Sequence, residues 1–406
     1  MLHWRDNAMV LKAASPTSQG FCPDRTQAIV TTLQGHVDRK HLPGAVAMVV
    51  RHGQVLLYRG IGQQDPQNGR PMAHDAIFRI YSMTKPIVSV AILQLMERGQ
   101  LLLSDPVTKY LPEFANVMVA AGVVGGTVAL RPPGAQPTVQ DLLRHTAGLT
   151  YEILGNDAVQ QQYAQADLAS RERTNAEFAH ALAQIPYRYE PGSIWQYSRA
   201  TDLLGALLEA VTGQTLADYL QAHILEPLGM VDTAFVVPPH KHHRIAHAFE
   251  HDPDGGTQMP LMDLRHPNPM QAGGAGLGST AMDYARFLQC LLNGGTLDGV
   301  RILGPATVRL MTADHLGDIP AERNGPSRDL LPPGHGFGLG FAVRLDDGLG
   351  SQLGSKGMYY WSGISGTVFF VDPAKDFFAI LLTQAPNQRT FYRPLFRNMV
   401  YAALMD

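Results

Sequence analysis

β-branched and apolar runs mark strands near both ends of the chain, and helical periodicity fills much of the stretch between them. Thr26–Val37 reads as a helix with Ile29, Val30 and Leu33 on one side. Ala45–Val50 and Gln54–Tyr58 are β-rich runs joined at Arg51-His52-Gly53, the pattern of a hairpin. From Ile87 to Met96 apolar residues cover nearly every helical face, which predicts a helix enclosed by core. From about 104 to 330 the pattern is helices and long loops. Thr138 caps Val139–Arg144, Thr174 and Glu177 form a capping box before Phe178–Gln184, and Arg199–Val211 is amphipathic and stops at Gly213. Thr215 and Asp218 open another helix, closed by Pro227 and Gly229, and Thr280 caps Ala281–Leu292. Strands return in Gly338–Arg344, Tyr359–Val371 and Phe377–Gln384, with a hairpin turn at Asp372–Asp376, before a last helix at Tyr392–Leu404.

This distribution predicts one α/β domain built from residues 26–112 and 335–406. A mainly helical domain, 113–334, is inserted between them, with a loosely ordered extension at 1–25. The cleft between the two domains is the expected place for a site.

Composition narrows the function. The 406 residues are 45% hydrophobic and 17% charged, enough apolar content for a substantial core. With 32 basic against 35 acidic residues, the net charge of −3 offers no nucleic-acid footprint and no polybasic membrane patch. Cys22 and Cys290 make no disulfide framework and read as inert. No apolar run approaches a membrane span, and residues 1–21 contain no continuous apolar stretch of the secretory type, so a cytoplasmic location is expected.

The chemistry begins at Ser82-Met83-Thr84-Lys85, at the head of the enclosed helix. Residues i and i+3 share a helical face, so Lys85 can reach the Ser82 oxygen. A serine becomes a useful nucleophile when a neighbouring base takes its proton, and the helix N-terminus offers free N–H groups to a developing oxyanion. Such a motif alone also fits an N-cap serine and a lysine reaching to water. A second proton carrier is available in Tyr197, on the loop Pro191–Arg199, where Lys85 and Arg199 are candidate cationic neighbours. Read alone, Tyr197 fits better as a packed ring whose hydroxyl bonds the backbone. A third element, Tyr360-Trp361-Ser362-Gly363-Ile364-Ser365-Gly366, opens a strand with small residues that allow close backbone approach. The glycines of Gly273–Thr280 match neither dinucleotide nor P-loop spacing and read as a tight turn. No Gly-x-Ser-x-Gly elbow occurs.

In order and rough spacing, Ser82-Met-Thr-Lys85, Tyr197-Ser198 and Trp361-Ser362-Gly363 resemble the serine β-lactamase-like hydrolases. Class C β-lactamases and family VIII carboxylesterases are the most similar. Leu142-Leu-Arg-His-Thr-Ala-Gly-Leu149, Leu203-Leu-Gly205, Glu226-Pro-Leu-Gly-Met230 and Gly273-Gly-Ala-Gly276 extend the resemblance over roughly residues 28 to 400. It implies an α+β fold of the β-lactamase and penicillin-binding-protein type, an antiparallel sheet flanked by helices. It implies Ser82 as nucleophile and Lys85 and Tyr197 as proton carriers. The N–H groups of Ser82 and Ile364 would form the oxyanion hole, and Tyr151, Trp361, Ser362 and Gly363 would line the substrate pocket.

Two departures separate this chain from the lactamases. Trp361 stands where they carry a lysine that recognises a substrate carboxylate, and Lys356 lies too early to replace it. Arg199 stands where they carry an asparagine. Both changes resemble family VIII carboxylesterases and imply a small neutral ester as substrate, with no metal and no cofactor. Three alternatives remain open: acyl transfer to an alcohol or amine, a β-lactamase or D-amino-peptidase activity, and a non-catalytic sensor on a penicillin-recognising scaffold. The histidines His240, His242, His243, His247 and His251 lack a carboxylate or cysteine that would complete a zinc pattern and read as a polar surface segment.

Overall fold

The computed structural model describes residues 11–124, 127–322 and 329–405. Its centre is a nine-stranded sheet contributed by the two ends of the chain. The N-terminal part supplies β1 (Lys12–Ala13), β2 (Gly44–Arg51), β3 (Gln54–Asp65) and β4 (Arg70–Pro71). The C-terminal part supplies β5 (His335–Phe337), β6 (Ala342–Arg344), β7 (Tyr359–Ser362), β8 (Val368–Asp372) and β9 (Phe377–Thr383). The order is β1-β3-β2-β9-β8-β7-β6-β5, with β4 paired to β3. Neighbours are antiparallel except for the short β1, which runs parallel to β3. The two halves join where β2 pairs with β9, from Ala45 opposite Thr383 to Arg51 opposite Phe377.

Both faces of this sheet are covered, which is why its central strands are apolar throughout. Successive side chains alternate between the faces. Val46, Met48 and Val50 of β2 and Phe378, Ile380 and Leu382 of β9 join the larger core. That core also takes in α2 (Thr84–Glu97), α3 (Ala200–Thr212) and α4 (Ala281–Leu292). Ala45, Ala47 and Val49 with Phe377, Ala379 and Leu381 face a second cluster. There, Ile29 and Leu33 of α1 (Pro23–Asp38) meet Phe396 and Val400 of α5 (Arg389–Ala403). As the all-round apolar pattern predicts, α2 is enclosed, with every residue from Thr84 to Leu95 buried.

Residues 11–25 are not the loose extension expected of them. The Cys22 N–H donates to the Ala403 carbonyl at 2.8 Å, and Phe21 is buried with its ring 6.0 Å from that of Phe377. One aromatic anchor and a strand edge tie the segment down, while residues 1–10 of that extension lie outside the described residues. α1 starts at Pro23, earlier than its apolar spacing suggests, because proline fits the first helical turn. The run Tyr359–Val371 is two strands, split at 363–367 by a glycine-bounded turn. A hairpin of Val119–Val124 and Thr127–Arg131 occupies a region read as helices and loops. Its valines and Gly125-Gly126 were the available signal. The short helix Pro239–Arg244 ends before His247, whose N–H instead donates to the Gln64 carbonyl, so His243 and His247 do not share a helix. Among the described residues no helix is long and apolar enough to cross a membrane.

Candidate active site

Ser82 lies in a single 3-10 turn, Tyr81–Met83, that runs directly into α2. The residue before it, Tyr81, has φ of 43°, a conformation that costs a non-glycine residue energy and is kept only when its surroundings enforce it. The Tyr81 hydroxyl accepts the Met262 N–H at 2.9 Å, which is one such enforcement. Ser82 is left partly exposed while Lys85, one turn on, is fully buried.

Lys85 Nζ donates to three acceptors: Ser82 Oγ at 3.2 Å, the Tyr151 hydroxyl at 3.1 Å and the Gly274 carbonyl at 2.7 Å. Three acceptors match the three donors an ammonium carries. The Tyr197 hydroxyl lies 2.6 Å from Ser82 Oγ, so two ionisable groups from distant segments meet on one oxygen. Lys85 Nζ also sits 4.6 Å from the Tyr197 ring centroid.

Packing fixes the Tyr197 ring. The rings of His145, Trp361 and Tyr151 stand 4.9, 5.1 and 5.3 Å from it, and the Trp361 indole nitrogen is 3.4 Å from its hydroxyl. Trp361 is buried and also packs on Phe337, with ring centroids 5.3 Å apart. His145 is fully buried, with Nδ1 3.1 Å from Ser198 Oγ. Burial, reinforced by the Lys85 charge, pushes its pKa well below the ordinary histidine value, so it is a neutral packing ring. Burial also pushes the Tyr151 phenol well above its usual value, with Asp202 and Tyr197 adding to the effect.

Arg199 does not face Tyr197. Its guanidinium lies over the Tyr151 ring, 4.9 Å from the centroid, hydrogen-bonds Glu152 and approaches Asp202 at 3.5 Å. Asp202 in turn accepts the Gly274 N–H at 2.8 Å, which holds the peptide whose carbonyl receives Lys85. A Cβ on Gly274 would come within 2.8 Å of the Asp202 carboxylate, so the tight turn read from the sequence is a requirement of this contact. Asp202, Gly274 and His145 were not identified as site residues beforehand. The family segments Leu142–Leu149 and Gly273–Gly276 contained His145 and Gly274, while nothing had marked Asp202.

Opposite Ser82, the turn 363–367 is clamped to the backbone just before the serine. The Ser365 hydroxyl donates to the Arg79 carbonyl at 2.9 Å, and the Gly363 N–H to the Thr367 carbonyl at 2.9 Å. The amides of Ser82 and Ile364 donate to no protein group among the described residues. A Cβ on Gly363 would meet the Ile80 carbonyl oxygen at 2.3 Å and Thr367 Oγ1 at 2.4 Å. Gly363→Ala should therefore push the turn away from Ser82. The expected result is a loss of about 2 kcal/mol in unfolding free energy, typical of overpacking, together with a fall in kcat/KM. Denaturant titration and ester kinetics measure the two. Ser362 is half-buried beside this turn, and Lys356 is exposed.

A family model described as Beta-lactamase matches residues 29–403. Esterase EstB of Burkholderia gladioli is 35% identical over 365 residues, covering 85% of this chain and 86% of that protein. Among solved structures, EstCE1, a hydrolase with promiscuous acyltransferase activity, has a TM-score of 0.78 and 28% identity over 94% of this chain and 98% of its own. Unliganded simvastatin synthase (LovD) from Aspergillus terreus has a TM-score of 0.74 and 27% identity, covering 93% of this chain and 98% of its own.

Proposed function

The chain belongs to the beta-lactamase family, and from that membership we propose that it is a serine carboxylesterase of the family VIII type, cleaving small neutral esters through an acyl-Ser82 intermediate. The observation that carries this reading is the meeting of Tyr197 and Lys85 on Ser82 Oγ at 2.6 and 3.2 Å. In acylation, Tyr197 reacts as the phenolate with Lys85 as its counter-charge, and its oxygen takes the Ser82 proton as Oγ bonds to the ester carbonyl carbon. The carbonyl oxygen becomes an oxyanion, received by the Ser82 and Ile364 N–H groups. Collapse breaks the bond to the alcohol oxygen, and Tyr197 returns the proton to that leaving group. Deacylation repeats the sequence with water as nucleophile; the proton ends on Ser82 Oγ and the acid departs. Lys85, with its donors directed at Ser82, Tyr151 and Gly274, holds positive charge against the reacting oxygens throughout.

Preference for a neutral ester follows from the third motif, where a buried Trp361 offers no charge to a substrate carboxylate. EstB is an esterase by name, which supports the same class. Acyl transfer is the second reading, supported by the acyltransferase activity of EstCE1 and by the Aspergillus terreus monacolin J acid methylbutanoyltransferase, 29% identical over 365 residues. The two divide at the acyl-enzyme, according to whether water or another nucleophile arrives.

The test is a panel of p-nitrophenyl esters of increasing acyl length, run beside a chromogenic cephalosporin and repeated with added alcohols. Ester turnover well above cephalosporin turnover, with a mass increase of one acyl group on the Ser82 peptide, is the expected result. A preference for the cephalosporin would overturn the ester assignment, and product diverted wholly into alkyl esters would assign acyl transfer instead.

A further inference from the structure

Helix α5 places a cation beside the site that no motif announced. The Arg393 Nη2 group donates to the carbonyl oxygen of Gly363, which also accepts the Gly366 N–H at 3.0 Å. As a whole the Arg393 side chain is partly exposed, but its Nε is enclosed and has no hydrogen-bond partner among the described residues. It forms no ion pair with any described carboxylate, and its neighbour one turn earlier, Arg389, bonds the Pro386 carbonyl.

The geometry points to Arg393 as a positioning residue for the oxyanion: its guanidinium grips the Gly363 carbonyl and so aims the other end of the same peptide bond, the Ile364 N–H, at the carbonyl oxygen of a bound ester. The inference rests on the reading of the Ser82 and Ile364 amides as the oxyanion donors. In a trans peptide the C=O and N–H vectors point in opposite directions across a rigid plane, and no cis bond occurs among the described residues. Gripping the oxygen on one side therefore fixes the N–H on the other. Neutral contacts hold the rest of the turn: Ser365 on Arg79, Gly363 on Thr367, and the Ala385 N–H on the Ser365 carbonyl at 2.7 Å. Arg393 adds a charge-assisted bond, a class stronger than neutral hydrogen bonds, and it further polarises the peptide that carries the Ile364 N–H.

Charge balance gives the same answer. Burial pulls the Arg393 guanidinium down to about 9, Arg389 adds to the effect, and the nearby Tyr197 opposes it. In the free enzyme no described carboxylate pairs with this cation. The negative charge that develops on the substrate oxygen supplies a counter-charge through the peptide. An interaction that is stronger in the transition state than in the ground state lowers the barrier without tightening substrate binding.

Arg393→Met and Arg393→Lys, made in the full chain, test this. For Arg393→Met, kcat/KM toward a p-nitrophenyl ester should fall about 10- to 100-fold, short of the loss from deleting an oxyanion donor outright. KM should change by less than about threefold. Affinity for an alkylboronic acid, whose tetrahedral serine adduct carries the oxyanion, should fall in parallel with kcat/KM. Arg393→Lys keeps the charge without the fork and should recover part of both losses. Wild-type kcat/KM and boronate affinity in a folded Arg393→Met protein would overturn the inference, as would a loss confined to KM, which would make Arg393 a substrate-binding group. A fall in unfolding temperature with unchanged boronate affinity would also overturn it, by reducing Arg393 to a structural role. If Ser82→Ala is dead while Arg393→Met is untouched, only this inference fails. If Ser82→Ala retains full turnover, the nucleophile assignment fails with it.

Discussion

Ser82→Ala should lower ester turnover by about 10⁴-fold or more, the scale seen when a covalent nucleophile is removed from a set of groups that act together. The substitution deletes one partly exposed oxygen and the acceptor for two hydrogen bonds, from Lys85 at 3.2 Å and Tyr197 at 2.6 Å. Lys85 keeps Tyr151 and the Gly274 carbonyl as acceptors, so the amine is not stranded. The unfolding transition should therefore move little, within about 1 kcal/mol. Circular dichroism melts and a fluorophosphonate label separate the two effects: the variant should melt like the parent and fail to label. Turnover close to the parent's would refute the acyl-serine route. The residual rate of Ser82→Ala then reports what the oxyanion donors and substrate binding achieve without a covalent step.

Tyr197→Phe should reduce kcat by about 10²- to 10⁴-fold, the range for losing a positioned acid–base group, with KM little changed. The ring is boxed by His145, Tyr151 and Trp361 at 4.9 to 5.3 Å, and phenylalanine keeps those contacts. What disappears is the oxygen that alternates between accepting a proton from Ser82 or water and returning it. Both half-reactions should slow, so a pre-steady-state burst should shrink in rate as well as in turnover. A variant with parental kcat would transfer the proton work to Lys85, which still reaches Ser82 directly. The comparison therefore decides which of the two groups is the base. Fluorophosphonate labelling should persist at a reduced rate, since Ser82 and its amide remain.

Much of this architecture was legible in the order of residues, and the reasons for the exceptions are physical. The i, i+3 spacing of Ser82 and Lys85 and the all-round apolar character of α2 are local properties, and local patterns transfer to the folded chain. The same holds for the helix Ala281–Leu292, whose threonine cap gives away its start. Family motifs carried Tyr197, Tyr151 and Trp361 into the discussion, but their mutual geometry was invisible. Nothing in the sequence shows that the Tyr151 hydroxyl takes a hydrogen bond from Lys85, or that Arg199 settles on Tyr151 between Glu152 and Asp202. Arg393 was hidden for the same reason. An arginine on a terminal helix carries no local mark that distinguishes a surface charge from one donating to a carbonyl 30 positions away. The looseness expected of residues 11–25 failed for the same reason, because a single aromatic, Phe21, found a buried place among residues contributed by the far end of the chain.

The seam between β2 and β9 has a consequence for how this molecule is made. Strand β2 leaves the ribosome well before the partner for one of its edges; the hydrogen bond from the Thr383 hydroxyl to the Gly44 carbonyl spans 339 positions. At about 5–20 residues per second, an apolar strand with a bare edge waits tens of seconds for its neighbour. Until then the nascent hairpin is a template for any other unpaired strand. Productive synthesis thus depends on what shields β2 in the interval, and holdase chaperones are the natural candidates for that duty.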